Sequence, residues 1–330
     1  MDRIAFVIGS TFLYWNSIIL TLAAAAAISF FLTFYLSSDG SSAAAAVAIP
    51  LGLVLSVILG RLVHWYFRPD SYAGFGAAMT DFTSGNYALL GVFAACLLTA
   101  LILRAIRLEK SLGTMLDAMS LAGCAGIALG RLSCFFSTAD RGRILENTHE
   151  LPFAYPVVNV VSGATEYRLA TFVLQSMACW LIFGLLLAFF LLAKRRRGDL
   201  TLLFLLLYGM SQAVLDSTRY DSLFMRSNGF ISVVQLAGAA CVVVVSVIFS
   251  VRMVRNTGMR GWYFILWISM LALMGGAGYM EYYVQRHGDL PLLCYSVMTA
   301  CLSAIVVLAL ITYARSGPQK EPAVSQPKDF

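Results

Sequence analysis

Four stretches of this sequence set charged and hydrogen-bonding side chains beside long apolar runs. The first is Gly126-Ile-Ala-Leu-Gly130-Arg131-Leu-Ser133-Cys134-Phe135-Phe136. An ionisable side chain at the end of such a run is costly to keep there, which makes Arg131 a functional candidate. Cys134 offers a thiol, but with no neighbouring histidine a nucleophilic role is the weaker reading. The second stretch is Tyr208-Gly209-Met-Ser211-Gln212-Ala-Val-Leu-Asp216-Ser-Thr-Arg219-Tyr220-Asp221. On one continuous helix Gln212, Asp216 and Arg219 would share a face. An Asp216–Arg219 pair could pin two helices, or it could aim Arg219 at a phosphate. The third stretch, Thr165-Glu166-Tyr167-Arg168, leads into an apolar run, where Tyr and Arg serve as interface anchors or as ligand contacts. The fourth, Asp81-Phe-Thr-Ser84-Gly85-Asn86-Tyr87, reads as a helix start, and helix N-termini bind anions through free N–H groups. Capping alone would also explain it. Taken together, the chemistry indicated is recognition of an anion by guanidinium groups.

The elements that must hold these residues are membrane spans. The chain has 330 residues, 60% of them hydrophobic and 12% charged. A soluble domain carries about 25% charged residues, so an ordinary soluble fold and intrinsic disorder are both excluded. The apolar residues run continuously rather than alternating, which excludes a porin-like barrel. No basic-aromatic cluster points to nucleic acid, and three dispersed histidines give a metal site little support. A helical span needs about 20 apolar residues. That ruler marks nine, near 12–36, 43–66, 87–103, 112–133, 169–193, 200–216, 229–251, 261–284 and 290–313. The first lacks the features of a cleavable signal peptide. Gly126 and Gly130 form a small-xxx-small face suited to close helix packing.

Nine spans place four basic segments on one side: Arg104 to Lys110, Lys194 to Arg197, Arg252 to Arg260, and a tail from Arg315. By the positive-inside rule that side is cytoplasmic, with the N-terminus outside and the C-terminus inside. The basic residues of the opposite side are all arginines, among them Arg61, Arg68, Arg131, Arg141, Arg143, Arg168 and Arg219. Arginine presents a planar fork of donors suited to phosphate, whereas lysine is a point charge.

At these residues the chain resembles the prolipoprotein diacylglyceryl transferases of bacterial inner membranes. The family signature reads A-L-G-R-I-G-N-F at the end of a span, and here it stands as Ala128-Leu-Gly130-Arg131-Leu-Ser133-Cys134-Phe135. The family pattern Y-G-x-x-R-x-x-x-E-x-x-R is matched in spacing by Tyr208, Gly209, Gln212, Asp216 and Arg219. Gly60-Arg61-Leu62 with Trp65-Tyr66-Phe67 is similar to the family's second span, and Tyr14-Trp15 to its first. The resemblance covers roughly residues 10–250.

The resemblance implies an all-α, polytopic transmembrane bundle with a seven-span transferase-like core. It divides the chain into a core over 1–255, two additional helices over 256–314 and a flexible cytoplasmic tail over 315–330. It also implies transfer of a diacylglyceryl group from phosphatidylglycerol to the lipobox cysteine of a prolipoprotein, with release of glycerol phosphate. No cofactor or metal is expected; the partners are the phospholipid, the prolipoprotein signal peptide and the membrane. Arg131 and Arg219 would contact phosphate with Asp216 as acidic partner. Tyr167, Tyr14 and Asp216 are the candidates to take the thiol proton. Arg61, Tyr14, Asn86, Cys134, Arg168 and Gln212 would contact substrate. Four family features are replaced: the H-G-G of the third span by Ser84-Gly85-Asn86-Tyr87, the signature asparagine by Cys134, the first arginine of the Y-G pattern by Gln212, and the H-P-x-Q-L-Y-E stretch at the fifth span's entry by Glu166-Tyr167-Arg168-Leu169. These changes motivate an alternative, a catalytically silent relative that binds lipid or lipoprotein. A transporter is a third and weaker reading, since no inverted repeat is evident.

Overall fold

The computed structural model describes residues 4–9, 11–80, 87–136, 141–145, 153–158, 163–193, 195–225, 228–288 and 290–317. A hairpin of β1 (Ile4–Ile8) and β2 (Thr11–Tyr14) leads into α1 (Trp15–Leu36) and α2 (Ser42–Phe67). The short α3 (Phe75–Thr80) precedes α4 (Leu89–Ala105) and α5 (Leu112–Leu132). Three strands follow, β3 (Ile144–Leu145), β4 (Ala154–Val158) and β5 (Thr165–Leu169), and then α6 (Thr171–Leu192) and α7 (Asp199–Leu215). After β6 (Phe224–Met225) and β7 (Asn228–Ser232) come α8 (Val233–Thr257), α9 (Trp262–His287) and α10 (Pro291–Arg315).

All nine expected spans are helices. Eight are long and apolar enough to cross a membrane. The ninth, α4, has 17 residues. At 1.5 Å per residue it reaches about 26 Å, the short limit for a span. The starts of three spans are corrected: residues 12–14, Leu169 and 229–232 are strand rather than helix. The bundle is therefore all-α within its spans, with three small antiparallel sheets at one end.

Helix starts follow local chemistry. The Ser111 hydroxyl accepts from the Thr114 N–H at the start of α5. Ser232 and Gln235 form a reciprocal capping box that opens α8. The core lies around α5, which packs on α1, α4, α6 and α7. Gly126 and Gly130 do face a neighbouring helix: a Cβ at Gly126 would sit 3.0 Å from the Ala27 Cβ of α1. The α7–α8 contact is closer still. A Cβ on Gly209 would lie 2.6 Å from the Gly238 carbonyl oxygen, so only glycine permits this approach.

Alternating helices give the bundle two ends. Short turns join α1–α2, α4–α5, α6–α7 and α8–α9 at one end, and these turns carry Arg104, Arg107, Lys110, Arg195, Arg196, Arg197 and Arg260. Hydrogen bonds confirm the grouping. Asp117 of α5 accepts from the Gly198 N–H at 2.8 Å and the Thr201 N–H at 2.9 Å. Asp199 of α7 accepts from Arg252 at 2.7 Å and from the Tyr313 hydroxyl at 2.8 Å. The sheets of β3–β5 and β6–β7 lie at the opposite, long-loop end.

An apolar cavity of about 660 Å³ opens between α8 and α9, walled by Val243, Val247, Trp267, Met270 and Met274. It reaches toward Arg255 and Met259 near the short-turn end, away from the residues considered next.

Candidate functional site at the long-loop end

Arg131 occupies the last turn of α5, half-buried, and hydrogen-bonds the Tyr208 hydroxyl of α7. Tyr208 is buried and stacked on Phe204, with ring centres 5.2 Å apart, so Arg131 is anchored to a rigid neighbour. Tyr208 also lies within electrostatic reach of Asp216.

After Leu215 the α7 helix tightens into a 3₁₀ turn, Asp216–Thr218. Gln212 looks toward α6, where its Oε1 accepts from Gln175 Nε2 at 3.2 Å. Asp216, with its side chain fully buried, looks instead toward the start of α8. Gln212 and Asp216 remain one helical turn apart, the Asp216 N–H donating to the Gln212 carbonyl, but their side chains take different partners. Asp216 Oδ1 accepts from Arg219 Nη1 at 3.2 Å, and Oδ2 accepts from the Ser232 hydroxyl. Ser232 thus caps α8 and holds the end of α7 at once. Arg219 also donates to Asp221 Oδ1 through Nε at 3.3 Å and Nη2 at 3.2 Å. One guanidinium is clasped between two carboxylates, which fixes its orientation.

A second layer of arginine comes from residues 141–145. The Gly142 N–H donates to the Leu169 carbonyl at 3.1 Å, and the Arg143 N–H to the Thr218 carbonyl at 2.9 Å. The Tyr220 N–H donates to the Arg141 carbonyl at 2.9 Å. This segment is wedged between β5 and the chain leaving α7, and a Cβ on Gly142 would stand 2.2 Å from the Leu169 oxygen. The wedge sets Arg141 and Arg143 between Arg168 and Arg219. Arg168 is 9% exposed, donates to Glu166 Oε2 at 3.0 Å, and lies 5.0 Å from the Tyr220 ring centre.

Tyr155 pairs across the sheet with Arg168 and lies within electrostatic reach of Arg141, Cys134 and Asp221. Burial pushes its phenol up, outweighing the downward pull of Arg141 and Arg168. It therefore stays protonated at neutral pH. From α2, Arg68 Nη2 donates to the carbonyls of Asp221 at 3.0 Å and Ser222 at 2.9 Å. Arg61 is 1% exposed, donates to the Ala78 carbonyl, and lies 5.0 Å from the Tyr87 ring centre.

Of the residues expected from the sequence, Arg131, Asp216, Arg219, Arg168 and Cys134 are brought to this end of the bundle. Arg61 stands beside them on α2. Tyr167 is adjacent to Arg168 in β5 but 42% exposed, because successive strand residues face opposite ways. Tyr14 is 46% exposed in the N-terminal hairpin, paired with Ile4. Asn86 lies outside the described residues. Four contributors were not singled out as site residues: Arg68, Arg143, Tyr155 and Tyr208. The two arginines belong to the all-arginine side of the sequence, which was the usable signal. Tyr155 sits in a short mixed strand with no periodic signature.

Fold and site together define a polytopic helical membrane protein with arginines from several segments gathered at one end of its bundle. Residues 3–252 match the family model described as prolipoprotein diacylglyceryl transferase. The chain belongs to that family. It is similar to a phosphatidylglycerol–prolipoprotein diacylglyceryl transferase of Finegoldia magna, with 25% identity over 76% of this chain and 96% of the relative. A protein of the same description from Oceanobacillus iheyensis is 27% identical over 76% of this chain and 87% of the relative. One from Streptococcus pneumoniae is 29% identical over 60% and 74%. The chain is thus a multi-pass membrane protein of a bacterial family.

Proposed function

We propose that this protein transfers the diacylglyceryl group of phosphatidylglycerol to the cysteine thiol of a prolipoprotein. The observation that carries the reading is the gathering of Arg131, Arg143, Arg168 and Arg219 at one end from four separate segments, joined by Arg68 from a fifth. A lipid phosphate is an anion that their planar forks of donors fit. Bidentate contacts would hold it, and partial burial makes them stronger than in water.

In the reaction the cysteine sulfur bonds to the glyceryl carbon that carries the phosphoester oxygen. That C–O bond breaks, its electron pair leaves with glycerol phosphate, and the thiol proton leaves the sulfur. Negative charge grows on the departing phosphate, so fixed guanidinium donors lower the barrier most where that oxygen lies. Arg131 and Arg219 are assigned to this phosphate, with Asp216 orienting Arg219. We place the long-loop end on the outer face of the plasma membrane, since the short-turn end carries the clustered lysine and arginine loops. The C-terminus is then cytoplasmic. The chain divides into a transferase core over 1–255 and an added helix pair over 256–314.

The test is incubation of the purified protein with labelled phosphatidylglycerol and a lipobox peptide. A thioether-linked lipid is the expected product, and failure with several phospholipid donors would remove the reading. Gln212 favours one alternative, because an uncharged amide pair with Gln175 stands where the family pattern carries arginine. A catalytically silent lipid-binding relative would bind the donor yet fail to rescue a transferase-depleted strain.

A further inference from the structure

The helices α9 and α10 lie beyond the family match, which ends at residue 252. Their outward faces are apolar, with Ile265, Ile268 and Leu271 each more than 60% exposed. Their inward faces near the long-loop end are polar. Glu281 is 5% exposed and Tyr295 is 9% exposed. A carboxylate buried within a span is costly and by default marks a working position.

These side chains reach the site directly. Gln285 Nε2 donates to Glu281 Oε1 at 3.1 Å and to the Ser217 hydroxyl at 3.4 Å. The Tyr295 hydroxyl lies beside Ser217 and the Arg143 guanidinium and within reach of the Glu281 charge. Ser217 is the residue after Asp216, and the Arg143 backbone is bonded to Thr218. The backbone fixes where Arg143 starts, and Tyr295 fixes where its cation ends. The second carboxylate oxygen of Glu281 is buried with no hydrogen-bond partner. An oxygen spared for packing alone would normally be satisfied.

We propose that the α9–α10 pair is a working part of the site: Tyr295, braced by Ser217 and Glu281, positions Arg143 as a further contact for the donor lipid's phosphate. This rests on the functional reading above. Tyr295 and Glu281 act through Arg143 and are positioning residues.

The test uses the full chain in detergent and measures phosphatidylglycerol binding directly, alongside transfer kinetics. Tyr295→Phe removes one hydroxyl and keeps the ring. It should weaken donor affinity about tenfold, the effect of one hydrogen bond to a charged group. The donor KM should rise while kcat and the thermal midpoint hold. Arg143→Ala should weaken binding at least as much, and the double variant should be no weaker than Arg143→Ala alone. Glu281→Gln should fall between wild type and Tyr295→Phe. Multiplying effects, or an unchanged affinity in Tyr295→Phe while the wild type binds, overturn the proposal. A folded wild type that binds no phosphatidylglycerol overturns the functional reading and this inference with it.

Discussion

The two ends of the bundle use the same ionisable residues for different purposes. At the short-turn end the carboxylates are the hubs. Asp117 accepts three hydrogen bonds, from the N–H groups of Gly198 and Thr201 and from the Thr201 hydroxyl, and so closes the start of α7 against α5. Asp199 gathers Arg252, Tyr313 and the Arg196 N–H. Glu109 accepts from Tyr35 and from the Ser111 N–H at 2.7 Å. Most of these bonds join separate segments, and each acid takes two or more donors.

At the long-loop end the guanidinium groups are the hubs. Arg219 sits between two carboxylates, and Arg131, Arg143, Arg61 and Arg68 touch phenols, ring faces or backbone carbonyls. Such contacts fix a cation's direction without neutralising it. A saturated carboxylate stabilises the fold, whereas a guanidinium fixed in direction presents a fork of donors that fits an anion.

The largest expected effect sits at the long-loop end. Arg219→Ala or Arg131→Ala should lower transfer by about 10² to 10³, the usual loss for one donor aimed at developing charge. Arg219→Lys should recover little, because a point charge cannot replace the fork between Asp216 and Asp221. Activity within a few-fold of wild type would erase the distinction between the two ends.

The next effect is at the other end and of another kind. Asp117→Ala should destabilise by about 2 kcal/mol by stranding the α7 start, read as a lower thermal midpoint in detergent. The protein that remains folded should keep its kcat/KM within about twofold, a margin that is small on the barrier scale. An unchanged midpoint with lost activity would invert the assignment.

Smaller effects separate neighbouring tyrosines. Tyr155→Phe should cost about tenfold in kcat/KM, since its hydroxyl lies among Arg141, Arg168 and Asp221. Tyr167→Phe should change transfer less than about twofold, because a lone exposed hydroxyl contributes little. Equal effects would show that both faces of β5 meet substrate.

The legible part of this protein was whatever depends on runs of adjacent residues. Span number, the clustering of basic loops, and the positions of Arg131, Asp216 and Arg219 all follow from the order of residues along the chain. Hydropathy is a local sum, so a helix needs no distant partner to declare itself. The family-like motifs were legible for the same reason, being short and contiguous.

Tertiary structure decided the rest. No local sum predicts that Gln212 finds Gln175 of α6 while Asp216, one turn on, finds Ser232 at the start of α8. None predicts that Gly142 threads between Leu169 and Thr171, delivering Arg143 to Arg219. Tyr295 meets Arg143 across some 150 residues of chain, and only the packing of α10 against α7 and α8 creates that encounter. Apolar segments specify where the chain crosses. Which polar groups then meet depends on helix rotation and on close glycine contacts, properties of pairs of surfaces rather than of any one segment.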